Sequence, residues 1–353
     1  MSTKFDSKEL TGNGKLYPTY GTYYGYEYYE APVLNSPISP RENYLRFIRN
    51  GDFEWIPDTM CDIVDITPDI NPDVTASGFD GGVDLFGVTW VPVGNGLPSM
   101  VRPGSPVLDD ICNWREKLVW PDVDSWDWKG TAKAYECVQG SGRFIRGVVL
   151  SGYFERLISL MDVENAAMAM VTDEDEVKSF FDKLTDVNLS IIEHYARDLK
   201  VDGILMHDDW AAQFAPFFSE STMRECLVPY VKRCVDKAHE LGLIFTFHSC
   251  GNQTGRVHLI CETGADVWQM QANASDALKC LAEADGQLKL EIHDVLPLGL
   301  SAEEKLERIK SKMLELSGKT LYWATDPEAG TITPEFRALV YEAGRRTANQ
   351  VNP

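Results

Sequence analysis

From residue 144 to the C-terminus, short β-forming runs alternate with helical stretches, and this alternation limits the possible folds more than any other feature. Residues 144–150, 202–206, 243–247, 265–269, 288–293 and 320–325 have strand length and a β-branched, aliphatic or aromatic bias. Between them, apolar residues recur at helical spacing. One such face is Val177, Phe180, Phe181, Leu184, Val187, Ile191 and Tyr195, and another is Leu227, Tyr230, Val231, Cys234, Val235, Ala238 and Leu241. Helix starts are signalled by Thr172-Asp-Glu-Asp175, by capping boxes at Thr222-Met-Arg-Glu225 and Ser301-Ala-Glu-Glu304, and by Thr333-Pro334. A further helix runs from Gly152 to about Met170. Strands joined through helices run parallel. At this length the repeated unit predicts an α/β fold, a (β/α)8 TIM-type barrel, with an open doubly wound sheet as the alternative. No Gly-rich phosphate fingerprint follows any strand, which counts against a nucleotide-binding open sheet.

The N-terminal part breaks this rhythm. Residues 1–14 are polar and read as loose, and residues 17–29 hold half of the tyrosines. We read residues 1–38 as a Tyr-rich arm: either a contact for a second copy, leaving a homodimer open, or an aromatic lining over a pocket. Ser39-Pro40 starts a helix, and residues 39–353 form the single barrel domain. Phe53 opens the first strand candidate. Residues 83–93 are extended, Gly94-Asn-Gly96 turns them, and residues 97–101 pair back. Trp114, Trp120, Trp126 and Trp128 fall in an irregular insertion around residues 94–142.

The formal net charge of −21 makes nucleic acid and anionic membrane poor partners. The polar opening does not read as a secretory signal, and no apolar run approaches membrane-spanning length. The eight scattered cysteines read as reduced thiols, so a cytoplasmic location is expected. Cys226 and Cys234 share a helix face and read as core.

In a parallel barrel the chemistry collects beyond the strand C-termini. Those positions hold Tyr153 and Glu155, His207, Asp208 and Asp209, His248 and Cys250, Gln269 and Gln271, His293 and Asp294, and Asp326 and Glu328. Three of the six histidines are among them. His248 and Cys250, two apart at a strand end, face the same way, a pair that suits zinc. A buried thiol beside a hydrogen-bonded imidazole is the plain alternative. Asp208 has a capping role as its plain reading, Glu155 a helix-dipole role, and His293 a hydrogen bond to backbone. His194, His239 and His258 lie on helices away from the rim and read as structural or solvated.

Gly152-Tyr-Phe-Glu155-Arg-Leu, Asp208-Asp-Trp-Ala-Ala-Gln213, Phe247-His-Ser-Cys-Gly251 and Asp266-Val-Trp-Gln269 occur in an order that resembles the uroporphyrinogen decarboxylase superfamily. The resemblance covers roughly residues 140–350 and is closest to the cobalamin-dependent methyltransferase branch. It implies a (β/α)8 barrel and a zinc held by the His and Cys of His-x-Cys-Gly, here His248 and Cys250, plus a third residue beyond the last strand. That third residue is usually Cys. Here the segment is Thr325-Asp-Pro-Glu-Ala-Gly330, so Asp326 or Glu328 is the substitute, Glu328 slightly favoured for its reach, or the site is metal-free. The missing Cys argues against the thiol-methylating members and fits those that demethylate methoxylated aromatics.

The implied function is the methyltransferase component of an O-demethylase. It takes a methyl group from a guaiacol- or veratrole-like aryl methyl ether to the Co(I) of a separate corrinoid protein. No Asp-x-His-x-x-Gly lower-ligand motif is present, so the cobalamin belongs to that partner. His207, Asp208, Asp209 and His293 would orient substrate or supply a proton, and Tyr153, Gln213 and Gln269 would bind substrate. The alternatives are a decarboxylase-like lyase, a methylcobalamin:thiol methyltransferase, and a non-catalytic barrel. The decarboxylase is disfavoured by the absence of its Arg-Gln-Ala-Gly-Arg segment and by the acidic chain.

Overall fold

A computed structural model describes residues 3–12, 14–18, 22–23, 26–27, 32–95, 97–328 and 333–352. Its main sheet has seven strands: β1 (Ile63–Ile66), β2 (Phe144–Val149), β3 (Gly203–His207), β4 (Ile244–Ser249), β5 (Val267–Met270), β6 (Lys289–Val295) and β7 (Leu321–Thr325). They lie in sequence order and every pairing is parallel. Asp58, in the stretch leading into β1, bridges Tyr322 of β7. Thr59 N donates to Tyr322 O at 3.0 Å and Tyr322 N to Pro57 O at 3.1 Å. The stretch that begins the sheet thus meets its last strand, and the sheet curls into a TIM-type barrel as expected.

The strands are apolar because both faces are covered. All six residues of β2 and all five of β3 are buried. Helices pack outside, among them α1 (Phe154–Met161), α2 (Val163–Thr172), α3 (Glu174–Arg197), α4 (Glu220–Cys226) and α5 (Val228–Glu240). Helix α3 buries Val177, Phe180, Phe181, Leu184 and Ile191, and carries three acids in its first turn, where the helix dipole favours them. No helix among the described residues is long and apolar enough to cross a membrane. All eight cysteines are free, with Cys226 and Cys234 buried.

Several local expectations are corrected. The first strand is β1, not the stretch at Phe53; Asp62 and Asp65 hide it by interrupting the apolar pattern. The helix expected from Gly152 to Met170 is two, broken at Asp162. That residue has φ 70°, and its side chain caps α2 by accepting from Asn165 N. The cap of α4 is Ser219, which accepts from Thr222 N, so Thr222 lies inside the helix. Ser301 does form its capping box with Glu304. Residues 1–14 are not all loose: Ser7–Thr11 form a 3-10 helix, and buried Glu9 accepts from Arg345 and Tyr341. Most of the Tyr-rich stretch lies outside the described residues; Tyr17 is buried under the Arg143 guanidinium, 4.9 Å from its ring centre.

Gly82–Val83, Thr89–Val91 and Met100–Val101 form a small antiparallel sheet, with Val91 paired to Met100 as expected. The rest of the insertion covers the outer helices. Trp114 and Trp120 pack on Phe180, and Trp128 stacks on His194 at 4.4 Å. Buried Arg156 on α1 binds Asp73 and Asp84, tying this cover to the barrel.

Candidate active site

Strands β3, β4 and β5 end side by side. His207 is in register with His248, and His248 with Gln269. The two imidazoles stack 4.4 Å apart. After β4 the chain turns at Gly251, whose φ is +81°. A Cβ there would sit 2.2 Å from Ala211 O, so only glycine lets the loops after β3 and β4 pass. That close approach lets Asp209 Oδ1 accept from Cys250 N at 2.6 Å. Cys250 Sγ then lies 3.2 Å and Asp209 Oδ1 3.7 Å from His248 Nε2. Among the described residues, these three form the one group of three or more His, Cys, Asp or Glu side chains whose donor atoms lie within 4.8 Å of one another.

A buried polar chain orients His248. Arg146 binds Asp65 through Nε (2.6 Å) and Nη2 (2.8 Å), and Glu291 through Nη1 (2.9 Å). Glu291 Oε1 accepts from Gln269 Nε2 at 2.8 Å, and Gln269 Oε1 lies 2.9 Å from His248 Nδ1. The Glu291 carboxylate only accepts, so it fixes which way the Gln269 amide faces. The amide oxygen then requires a proton on Nδ1, leaving the lone pair on Nε2, the nitrogen beside Cys250 and Asp209.

The electrostatics of the group suit a divalent cation. Burial first, then Asp209 and Glu155, push the Cys250 thiol up to about 12. Burial, followed by Asp209 and Asp208, holds the Glu155 carboxyl well above the usual range. Burial lowers both His248 and His207, so neither imidazole supplies positive charge at neutral pH. A divalent metal would balance these groups, and a neutral imidazole, a thiolate and a carboxylate form a donor set that suits zinc.

Asp209 also faces a cavity of about 370 Å³. Its barrel side is Leu150, Ser151, Glu155, Ile158 and Phe217, and its cover side includes Trp90, Pro98, Ser99 and Val101. Apolar walls with a few converging polar groups are the usual make-up of a small-molecule site.

The other expected site residues are dispersed. Asp208 is buried and bonded, accepting from Glu155 N at 3.0 Å and from Trp210 Nε1 at 2.8 Å. Burial raises it to about 7 against those bonds. Tyr153 is fully buried, its hydroxyl on Thr185 and the Tyr230 carbonyl, so it does not reach the cavity. Gln213 is exposed and meets Asn273 O and Gln271. His293 stacks on Trp323 and bonds Thr325. Asp326 and Glu328 are not brought to His248 and Cys250, because Lys305 holds both, at 2.7 and 3.2 Å. The carboxylate that meets the pair is instead that of Asp209, which the sequence reading set among catalytic groups. Arg146, Glu291 and Asp65 were missed, although charges inside otherwise apolar strands signal them.

Fold and rim together define a TIM-type barrel with a donor set and a cavity at its strand C-termini. Residues 133–289, which include β2 to β5 and both loops of the donor set, match the family model described as Uroporphyrinogen decarboxylase (URO-D). The superfamily resemblance drawn from the motifs is borne out. A methyltransferase from Methanosarcina mazei has a similar fold, with a TM-score of 0.59 and 15% identity over 90% of this chain and 100% of that one. A sugar phosphate isomerase/epimerase from Parabacteroides distasonis (TM-score 0.37, 12% identity, 62% of this chain, 76% of that chain) is more distant. So is a D-psicose 3-epimerase from Clostridium cellulolyticum (TM-score 0.37, 12% identity, 62% and 83%). No curated protein matches this sequence.

Proposed function

We propose that this protein is a methyltransferase that moves the methyl group of an aryl methyl ether to the Co(I) of a separate corrinoid protein. The observation that carries this reading is the Asp209–His248–Cys250 group, whose Asp209 also lines the cavity that holds Glu155. The superfamily pattern and the fold shared with a methyltransferase support it. Asp209, His248 and Cys250 would hold a zinc ion. Bound there, zinc would act as a Lewis acid on the ether oxygen.

The chain's own residues do the rest. Gln269 keeps the metal-facing nitrogen of His248 unprotonated. Trp90, Val101, Leu150, Ile158 and Phe217 enclose the ring and exclude water. In the transfer, the methyl carbon leaves without the electrons of its C–O bond, and the acceptor's Co(I) supplies the pair for the new bond. The aryl oxygen retains the old pair as a phenolate and takes up a proton. Glu155, on the cavity wall, would deliver it.

The test is to incubate the protein with a reduced corrinoid protein and guaiacol or veratrole, and to follow loss of the Co(I) absorbance and release of the phenol. Transfer that depends on both the ether and bound zinc is expected. Absence of transfer from every aryl methyl ether would exclude the reading, and full activity after complete chelation would exclude the metal's part.

A further inference from the structure

We infer that the cavity beside Asp209 selects an uncharged methoxylated ring and rejects aryl ethers that carry a carboxylate; this rests on the function proposed above. Three observations carry it. First, none of the residues lining the cavity is Lys, Arg or His. Arg156, which binds the lining residue Asp73 through Nη2, has Nη1 on Asp84, so both ends of its fork are taken. Second, the ionisable groups that line the cavity are all acids, and none offers a positive charge: Asp73, which Arg156 holds, Glu155, the proton donor proposed above, and Asp209, one of the three residues that would hold the zinc. A ring carboxylate, kept off the metal by the reacting methoxyl, would lose its water there and find no Lys, Arg or His in the lining to pair with.

Third, Ser99 lines the cover side and is 7% exposed. Its backbone N–H is bonded to Ser77 O and Gly78 O, but its Oγ has no partner among the described residues. A buried hydroxyl without a partner is costly. A phenol hydroxyl or a second methoxy oxygen on the ring would satisfy it. The walls thus describe a ring gripped by Trp90 and Phe217, an oxygen substituent at Ser99, and the reacting methoxyl toward Asp209.

Binding tests this without turnover. Guaiacol, veratrole and vanillate (guaiacol carrying a ring carboxylate) are titrated calorimetrically against the zinc-loaded protein, and kcat/KM is measured for each with the corrinoid acceptor. Guaiacol should bind at least about tenfold more tightly than vanillate, a gap expected for burying one charge without a counter-ion. Ser99→Ala should weaken guaiacol severalfold without narrowing that gap. Val101→Lys, which places a cation on the cover side, should narrow or reverse it. Equal or tighter binding of vanillate by the unaltered protein would overturn the inference while leaving the proposed function standing. Binding that follows the expected order without demethylation of any ether would instead remove the proposed function. No response of guaiacol to Ser99→Ala would remove Ser99 from the recognition.

Discussion

Two sectors of the barrel rim carry nearly the same residue types and differ in one respect. Beyond β6 and β7 stand His293, Asp294, Asp326 and Glu328, and each acid has a proton-bearing partner: Arg308 and Tyr322 for Asp294, Lys305 for Asp326 and Glu328. Beyond β3 and β4 stand His207, Asp209, His248 and Cys250, with Glu155 close by, and among the described residues Asp209 forms an ion pair with His248 and with no Lys or Arg. The first sector is closed by its own cations and holds loops together. The second brings three donor side chains together with no Lys or Arg on its acid, an arrangement that could hold a metal ion. Residue type alone does not separate a functional rim from a structural one; the placement of counter-charge does.

The comparison can be broken at several points. The largest effect belongs to Cys250→Ala and His248→Ala. Either should remove zinc and lower demethylation by at least about 10³-fold, since the metal's charge stabilisation is lost. Elemental analysis with a matched rate assay checks this, and a folded, zinc-free, fully active variant would contradict it. Next, Glu155→Gln should slow kcat by about 10²-fold and leave zinc in place, the effect of losing a proton donor. A smaller loss with poor phenol leaving groups than with good ones would count against that role. Gln269→Leu should weaken zinc binding about 10–100-fold by freeing the imidazole of His248 to turn or change tautomer. Competition with a chromophoric chelator measures it. The smallest effect is expected in the other sector: Lys305→Met should leave zinc content and kcat as they were and lower thermal stability only slightly.

The barrel was legible because covered parallel strands must be apolar throughout and their helices amphipathic, two periodicities that survive in β2 to β7 and in α3. Strand β1 was not, since Asp62 and Asp65 belong to interior ion-pair networks with Arg337 and Arg146 that no local pattern reveals. His248 and Cys250 could be paired from strand alternation alone. Asp209 could be placed on the rim but not assigned to them, because its position depends on Gly251 letting two loops pass at backbone contact. Tyr153 read as a rim residue from its place after β2, yet α1 begins at once and turns it into the core. Asp326 and Glu328 looked available because Lys305, which holds them, lies on the helix before β7, 21 and 23 residues back in the sequence.

The central claim is that Asp209, and not the acids beyond the last strand, completes the metal-binding group. Zinc content measured in parallel for the unaltered protein, Asp209→Ala and Glu328→Ala tests it most directly, with circular dichroism confirming the fold of each. Zinc retained by Glu328→Ala and lost from Asp209→Ala is the expected result. Zinc lost from Glu328→Ala and retained by Asp209→Ala would contradict the assignment.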